Sequence, residues 1–465
     1  MTNVQLLVLA LICLTAAVWL SVKRTSAAAA PAVLAAMMLL LALGGPLWEW
    51  SKHSGDAAGL PSSVQAVAFS KSLAAPAFLW ASIGAGLSAL LIPPIPAQAL
   101  PTRKVAPSRK LSIAVAIVSA VAFVTLVIGV GPSFFKNDSY LYSDGILFLA
   151  MASWPGILSG VLGVVLTAWE KDRRLRILLI ATSALWFIGP LSSGSRMACA
   201  VPILGSLLMF FNEIRRRRLH LALIAPAVAL FVTGVFAFSV VGNARAMPHG
   251  LLNVPNVVQA TASDIANSTD SILEPAKELV ASVVVGFPIA EESVHEDVDI
   301  GTLLGNANPL PGTARSADLE RYWPYSWVPL SFAGEWFGAM GCVGQILLFG
   351  IMGWIFGFAM HNLQRSRFRL MSFLPLGFVA LVGVLSIEYS SRSVWRILSL
   401  SVILLIASYL VRERTNKGRS RDMFRETRDE QPPNAIGNLE KSAFRVSSTV
   451  EVPNRVAMTV GQRYG

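Results

Sequence analysis

The chain is a succession of apolar runs, most of them close to the length that crosses a bilayer, joined by polar links that hold most of the basic residues. Two of the runs, Ile177–Leu191 and Met197–Phe211, are short enough to be a tilted or broken pair. In order the runs are Val4–Val22, Ala27–Leu47, Ser72–Pro93, Leu111–Gly131, Ile146–Trp169, Ile177–Leu191, Met197–Phe211, Leu219–Val241, Phe337–Met360, Leu370–Ile387 and Val394–Val411. Inside a bilayer every backbone N–H and C=O must be satisfied within the protein, so continuous apolar runs of this kind are helices. The pattern predicts an all-α fold, a polytopic membrane helical bundle of about 11 transmembrane helices with one large outer loop. Composition agrees: 54% hydrophobic, 14% charged and a mean hydropathy of +0.59 give 465 residues more apolar surface than a soluble core encloses.

A net charge of +11 would suit a nucleic-acid binder if the cations lay along one face, but here they sit in clusters between apolar runs. Such clusters orient helices, so no nucleic-acid partner is expected. Lys23-Arg24, Arg103 to Lys110, Lys171 to Arg176, Arg215 to Arg218 and Arg365 to Arg369 fall at alternate links. This spacing predicts an outer N-terminus, a cytoplasmic C-terminus and an uncleaved first helix, because Val4–Val22 has its basic residues after it. The chain divides into helices 1 to 8 (1–242), a large outer loop (243–336), helices 9 to 11 (337–411) and a flexible cytoplasmic tail (412–465). Cys13, Cys199 and Cys342 all lie in apolar runs and read as packing residues, not as a disulfide framework or zinc site.

Cations on the outer side run against the orientation rule, which singles out Arg196, Arg245, Arg315, Arg321, Arg392 and Arg396. A guanidinium there can fork onto phosphate oxygens, or it can snorkel or form an ion pair. Arg196 and Arg392 each follow a small polar turn, Ser192-Ser193-Gly194-Ser195 and Ser390-Ser391, where backbone can approach a ligand. Glu388 stands four residues before Arg392: a salt bridge is one reading, a base beside a phosphate-holding arginine the other. Glu335 has the same choice between proton acceptor and complement to a helix dipole. His249 and His295 are further proton-handling candidates. Trp323, Tyr325 and Trp336 read as sugar-stacking platforms or as an interfacial aromatic belt. Gly338, Gly341, Gly344, Gly350, Gly353 and Gly357 read as a close-packing helix face. No phosphate loop, dinucleotide fingerprint, metal-ligand spacing or nucleophile elbow occurs, so no cofactor and no metal are expected.

Three stretches carry a family resemblance: Gly194-Ser195-Arg196 at an outer helix end, Gly301-Thr302-Leu303-Leu304 with Asn308-Pro309-Leu310-Pro311, and Pro329 to Glu335 running into Phe337-Gly338. With a late outer loop, the chain resembles the Wzy-type O-antigen and exopolysaccharide repeat-unit polymerases, membrane glycosyltransferases of GT-C-like class. It departs at Met197, where many relatives have glycine, and at Trp336, where a small residue is usual. The resemblance implies a bacterial cytoplasmic (inner) membrane enzyme that joins undecaprenyl-pyrophosphate-linked oligosaccharides without a metal, beside a flippase and a chain-length regulator. On that reading Arg196, Arg245, Arg392 and Arg321 hold the pyrophosphate, Glu335 ahead of Glu388 takes the acceptor proton, and Trp323, Tyr325 and Trp336 stack on sugar. The related O-antigen ligases share the serine-arginine signal but usually carry His-Asn where this chain has Gly334-Glu335. A ligase, a lipid-oligosaccharide flippase or other transporter, and a scaffold that binds a partner through the loop are the alternatives.

Overall fold

The computed structural model describes residues 1–44, 71–94, 109–136, 149, 152–192, 194–216, 221–267, 286–296, 298–306, 330–365, 372, 374–388, 394–395 and 397–409. Among them every regular element is helical. In chain order these are α1 (Asn3–Lys23), α2 (Ala29–Ala42), α3 (Ala74–Ser88), α4 (Arg109–Val130), α5 (Ser153–Thr167), α6 (Arg173–Ser192), α7 (Ala200–Arg216), α8 (Leu221–Ala246), α9 (Val254–Asn267), α10 (Gly286–His295), α11 (Ile300–Asn306), α12 (Phe332–Arg365), α13 (Leu374–Glu388) and α14 (Ile397–Tyr409). Six helical stretches among the described residues are long and apolar enough to cross a membrane: Asn3–Lys23, Ala74–Leu91, Arg109–Phe134, Arg173–Ser192, Ile224–Ala244 and Phe332–Arg365. Five shorter apolar helices, Ser26–Ala42, Ser153–Thr167, Ala200–Met209, Leu374–Ser386 and Ile397–Tyr409, accompany them.

Apolar side chains cover both faces of these helices, which is why they suit lipid. In α1 a capping box between Thr2 and Gln5 starts the helix. Leu6, Ala10, Cys13, Ala17 and Leu20 then turn inward, while Val4, Val8, Ile12 and Trp19 remain exposed. In water such an outer face would be an aggregation surface; against hydrocarbon it costs nothing. The centre is α3, whose small residues admit close neighbours: a Cβ on Gly84 would lie 2.3 Å from the carbonyl oxygen of Ile346. Gly353 and Gly357 make the reciprocal approach, against Ser88 and Ile92 and the ring of Pro31.

The helix expected over Phe337–Met360 is instead part of α12, which folds at Gly341 (φ 62°, ψ −162°). In a straight helix Ala333 and Gln345 would stand about 18 Å apart. Yet Gln345 Nε2 donates to the carbonyls of Ala77 (3.1 Å) and Ala333 (3.4 Å), and the rings of Phe332 and Phe349 are 6.0 Å apart. The first limb, Phe332–Met340, therefore lies back along the second, Cys342–Arg365. No side chain but hydrogen tolerates that backbone region without strain.

Polar contacts join helix ends that are distant in sequence. Asn3 donates to the Ser72 carbonyl (3.0 Å), joining the starts of α1 and α3. Ser26 donates to Gln364 (2.8 Å), joining the link after α1 to the end of α12, and Arg109 pairs with Asp172 (3.5 Å) at the starts of α4 and α6. Beside that pair, burial works against ionising Glu170. The Ser112 hydroxyl and the amides of Asp172 and Lys171 outweigh it and hold the carboxyl below its usual range. The tail 412–465 lies outside the described residues.

Candidate functional site

The turn bearing Arg196 is a helix cap. The amide of Gly194 (φ 64°) donates to the Leu191 carbonyl (3.1 Å) and that of Ser195 to the Pro190 carbonyl (3.0 Å), the paired bonds of a Schellman motif ending α6. Arg196 then opens the short 3-10 turn Arg196–Cys199 that leads into α7. The remaining orphan carbonyl of Ser192 accepts from the Gly250 amide (2.8 Å), and Leu252 donates to the Phe135 carbonyl (3.1 Å). The chain leaving α8 thus crosses the end of α6. Gly250 is required there: φ is 109°, and a Cβ would meet the Phe135 carbonyl oxygen at 2.6 Å.

Helix α8 continues past Gly242 to Ala246 and carries Arg245 in its last turn. Asn243 ties that turn to α9 through Thr261 and Asp264, each at 3.0 Å. Beneath it Leu191, Cys199, Val240, Ala244 and Val257 form one apolar cluster, so the elements bearing Arg196 and Arg245 pack on each other. The two side chains themselves lie outside the described part. His249 joins this end of the bundle, 2% exposed, with Nδ1 3.3 Å from the Met247 carbonyl. Its Nε2 is buried and meets no partner among the described residues. From sequence it was one open candidate beside His295, which is exposed.

Glu335 and Trp336 sit on the first limb of α12, and both are interior: 0% and 4% exposed. Ser331 fixes the limb's start, its amide donating to Ser293 Oγ of α10 and its hydroxyl to the Ser386 carbonyl of α13, both at 2.9 Å. Gly334 lets α10 press against the limb, with Ser293 Cβ 2.6 Å from where a side chain would begin. Trp336 is flanked by Phe332 (6.1 Å) and Trp395 (5.8 Å), so a sugar could stack on it only by displacing one of them. Glu388 ends α13 with its side chain outside the described part. Arg392, Arg321, Trp323 and Tyr325 lie outside the described residues altogether.

Nothing in the sequence singles out Glu291. Here its carboxylate accepts from the Ser72 hydroxyl and from the amides of Leu73 (2.8 Å) and Ala74 (3.1 Å), capping α3 from the loop helix α10. The one available signal is that α3 has no acid in its own first turn. Among the described residues no group of three or more His, Cys, Asp or Glu side chains is placed to hold a metal ion.

Long apolar helices with lipid-suited outer faces and buried interhelical polar contacts define the class: an α-helical membrane protein. Comparison with protein families, with curated proteins and with solved structures finds no match to this chain.

Proposed function

We propose that the protein polymerises lipid-linked oligosaccharide repeat units at the outer face of a bacterial cytoplasmic membrane. The observation that carries this reading is the junction of the Arg196 turn with the Arg245 helix end, two outer arginines brought onto touching elements and closed over by the segment bearing His249. On this reading the six long and five shorter apolar helices among the described residues all act as spans, and the N-terminus lies outside, as the basic clusters at alternate links suggest.

In the proposed reaction the acceptor sugar's hydroxyl oxygen attacks the anomeric carbon of a donor chain attached to lipid pyrophosphate. The carbon–oxygen bond to pyrophosphate breaks, and the lipid pyrophosphate leaves with the electron pair. Arg196, Arg245 and Arg392, with Arg321, stabilise the charge that develops on it, and the hydroxyl proton passes to Glu335, or to Glu388. Because Glu335 is enclosed, it reaches an acceptor only if the first limb of α12 swings about Gly341. No metal takes part in this scheme.

The test is polymer length in cells carrying Arg196→Ala, Arg245→Ala or Arg392→Ala. Each should cut chain elongation by roughly 10²-fold or more, as expected for lost charge stabilisation of a leaving group, with membrane levels unchanged. Wild-type chain length in a variant removes that arginine from the proposal. Deletion of the whole protein separates the classes: single repeats on a lipid core mean a polymerase, unattached polymer a ligase, and lipid-linked repeats retained inside a flippase.

A further inference from the structure

Between α5, α6, α7 and α8 lies a partly open cavity of about 500 Å³ that runs from Arg176, at the start of α6, to Phe187, Val201 and Pro202. Its walls are apolar, among them Val164, Ile180, Phe187, Met209 and Leu230. Three hydroxyls reach it, and all are already engaged: Thr167 donates to the Gly163 carbonyl (2.8 Å), Ser183 to Gly160 (2.9 Å) and Thr233 to Ala229 (2.8 Å). Water entering here would find almost nothing to bond, and an empty void would forfeit the dispersion contacts of every wall atom.

One charged group lines the cavity. Arg176, in the first turn of α6 and solvent-exposed, donates from Nε (3.0 Å) and Nη2 to the main-chain carbonyl of Glu170, which fixes its plane. No carboxylate pairs with it among the described residues: the Glu170 carboxylate faces the amides of Lys171 and Asp172, and Asp172 is paired with Arg109. The rest of the fork is left to an outside acceptor. From Arg176 to Phe187 the cavity follows α6 for about 16 Å, the depth of one leaflet of a hydrocarbon core about 30 Å thick.

We propose that this cavity is a phospholipid site, holding one acyl chain of an anionic glycerophospholipid whose phosphate is gripped by Arg176. The geometry commits to an amphiphile rather than to free phosphate, since a lone anion at Arg176 would leave the apolar cleft unfilled. The headgroup lies at Arg176, on the basic side of the bundle, and the acyl chain points along α6 toward Phe187.

Native mass spectrometry of the full chain in detergent tests this, with phosphatidylglycerol, phosphatidylcholine of the same acyl chains, or inorganic phosphate added. The wild type should retain one phosphatidylglycerol in preference to phosphatidylcholine and show no competition from phosphate. Arg176→Ala should lower phosphatidylglycerol retention about tenfold, the worth of one charge-assisted hydrogen bond, and Arg176→Lys should restore part of it. Ala184→Phe, which fills the cleft, should lower retention of both lipids. Equal retention of the two lipids by the wild type, competition by phosphate, or undiminished phosphatidylglycerol in both Arg176→Ala and Ala184→Phe would overturn the proposal. The wild-type selectivity needs no variant to fold.

Discussion

Three donors converge on the Glu291 carboxylate, and they come from the turn that starts α3, more than two hundred positions earlier in the chain. The first amides of a helix have no partner within it, so a carboxylate there supplies both a hydrogen bond and a charge opposed to the helix dipole. Glu291→Ala should therefore cost about 1–2 kcal/mol, seen as a lower Tm of the purified protein in detergent, whereas Glu292→Ala on the exposed side of the same helix should leave Tm where it was. Equal effects would mean that the contact contributes nothing. In sequence, Glu291, Glu292 and Glu296 are indistinguishable acids of a polar loop; what separates them is contact across the fold, which local pattern does not encode. The Arg196 turn is the opposite case. Ser192-Ser193-Gly194-Ser195 announces a backbone reversal by composition, and the Schellman bonds around Gly194 realise it.

Among the elements, α12 departs furthest from its sequence expectation. Its apolar character continues through Gly341, so hydropathy draws one helix where the backbone makes two limbs. The glycines nearby read as a packing face, and Gly353 and Gly357 do lie against Ser88 and Ile92, but Gly341 works through its conformation rather than its size. A matched pair of substitutions separates the two roles. A Cβ would meet nothing within 4 Å at either Gly341 or Gly242, yet only Gly341 has a positive φ, while Gly242 is helical. Gly341→Ala should destabilise by about 1–3 kcal/mol, and Gly242→Ala should be neutral or stabilising by about 0.5–1 kcal/mol, both read from thermal unfolding in detergent. If Gly341→Ala is as benign as Gly242→Ala, the fold at that position is not the native one. On the proposed mechanism Gly341→Ala also slows polymer growth, because Glu335 rides on the limb it would stiffen.

At the scale of the whole molecule the question is which face looks outward. Helix existence was legible, since apolar length alone separates helix from link. Span number was less so: among the described residues six helices are long and apolar enough to cross a membrane and five apolar ones are shorter, because hydropathy marks which residues suit lipid and not where a helix ends. Sidedness rests on contacts that couple distant ends. Asn3 donates to the Ser72 carbonyl, and Glu291 caps the turn Ser72 begins, so the starts of α1 and α3 and the loop helix α10 share one face. One label on that turn consequently reports all three. Lys71 is exposed there, while Arg174 is exposed at the Arg109–Asp172 end. The native cysteine to remove first is Cys342, which is exposed; Cys13 and Cys199 are buried. In a Cys342→Ser background, Lys71→Cys should react with a membrane-impermeant maleimide in intact cells, and Arg174→Cys only after permeabilisation. The basic clusters require that order, because cations at links are retained on the cytoplasmic side. The reverse order would turn the loop, Arg196 and Arg245 inward together, and a polymerase acting on exported repeats would then have its proposed pocket on the wrong side of the membrane.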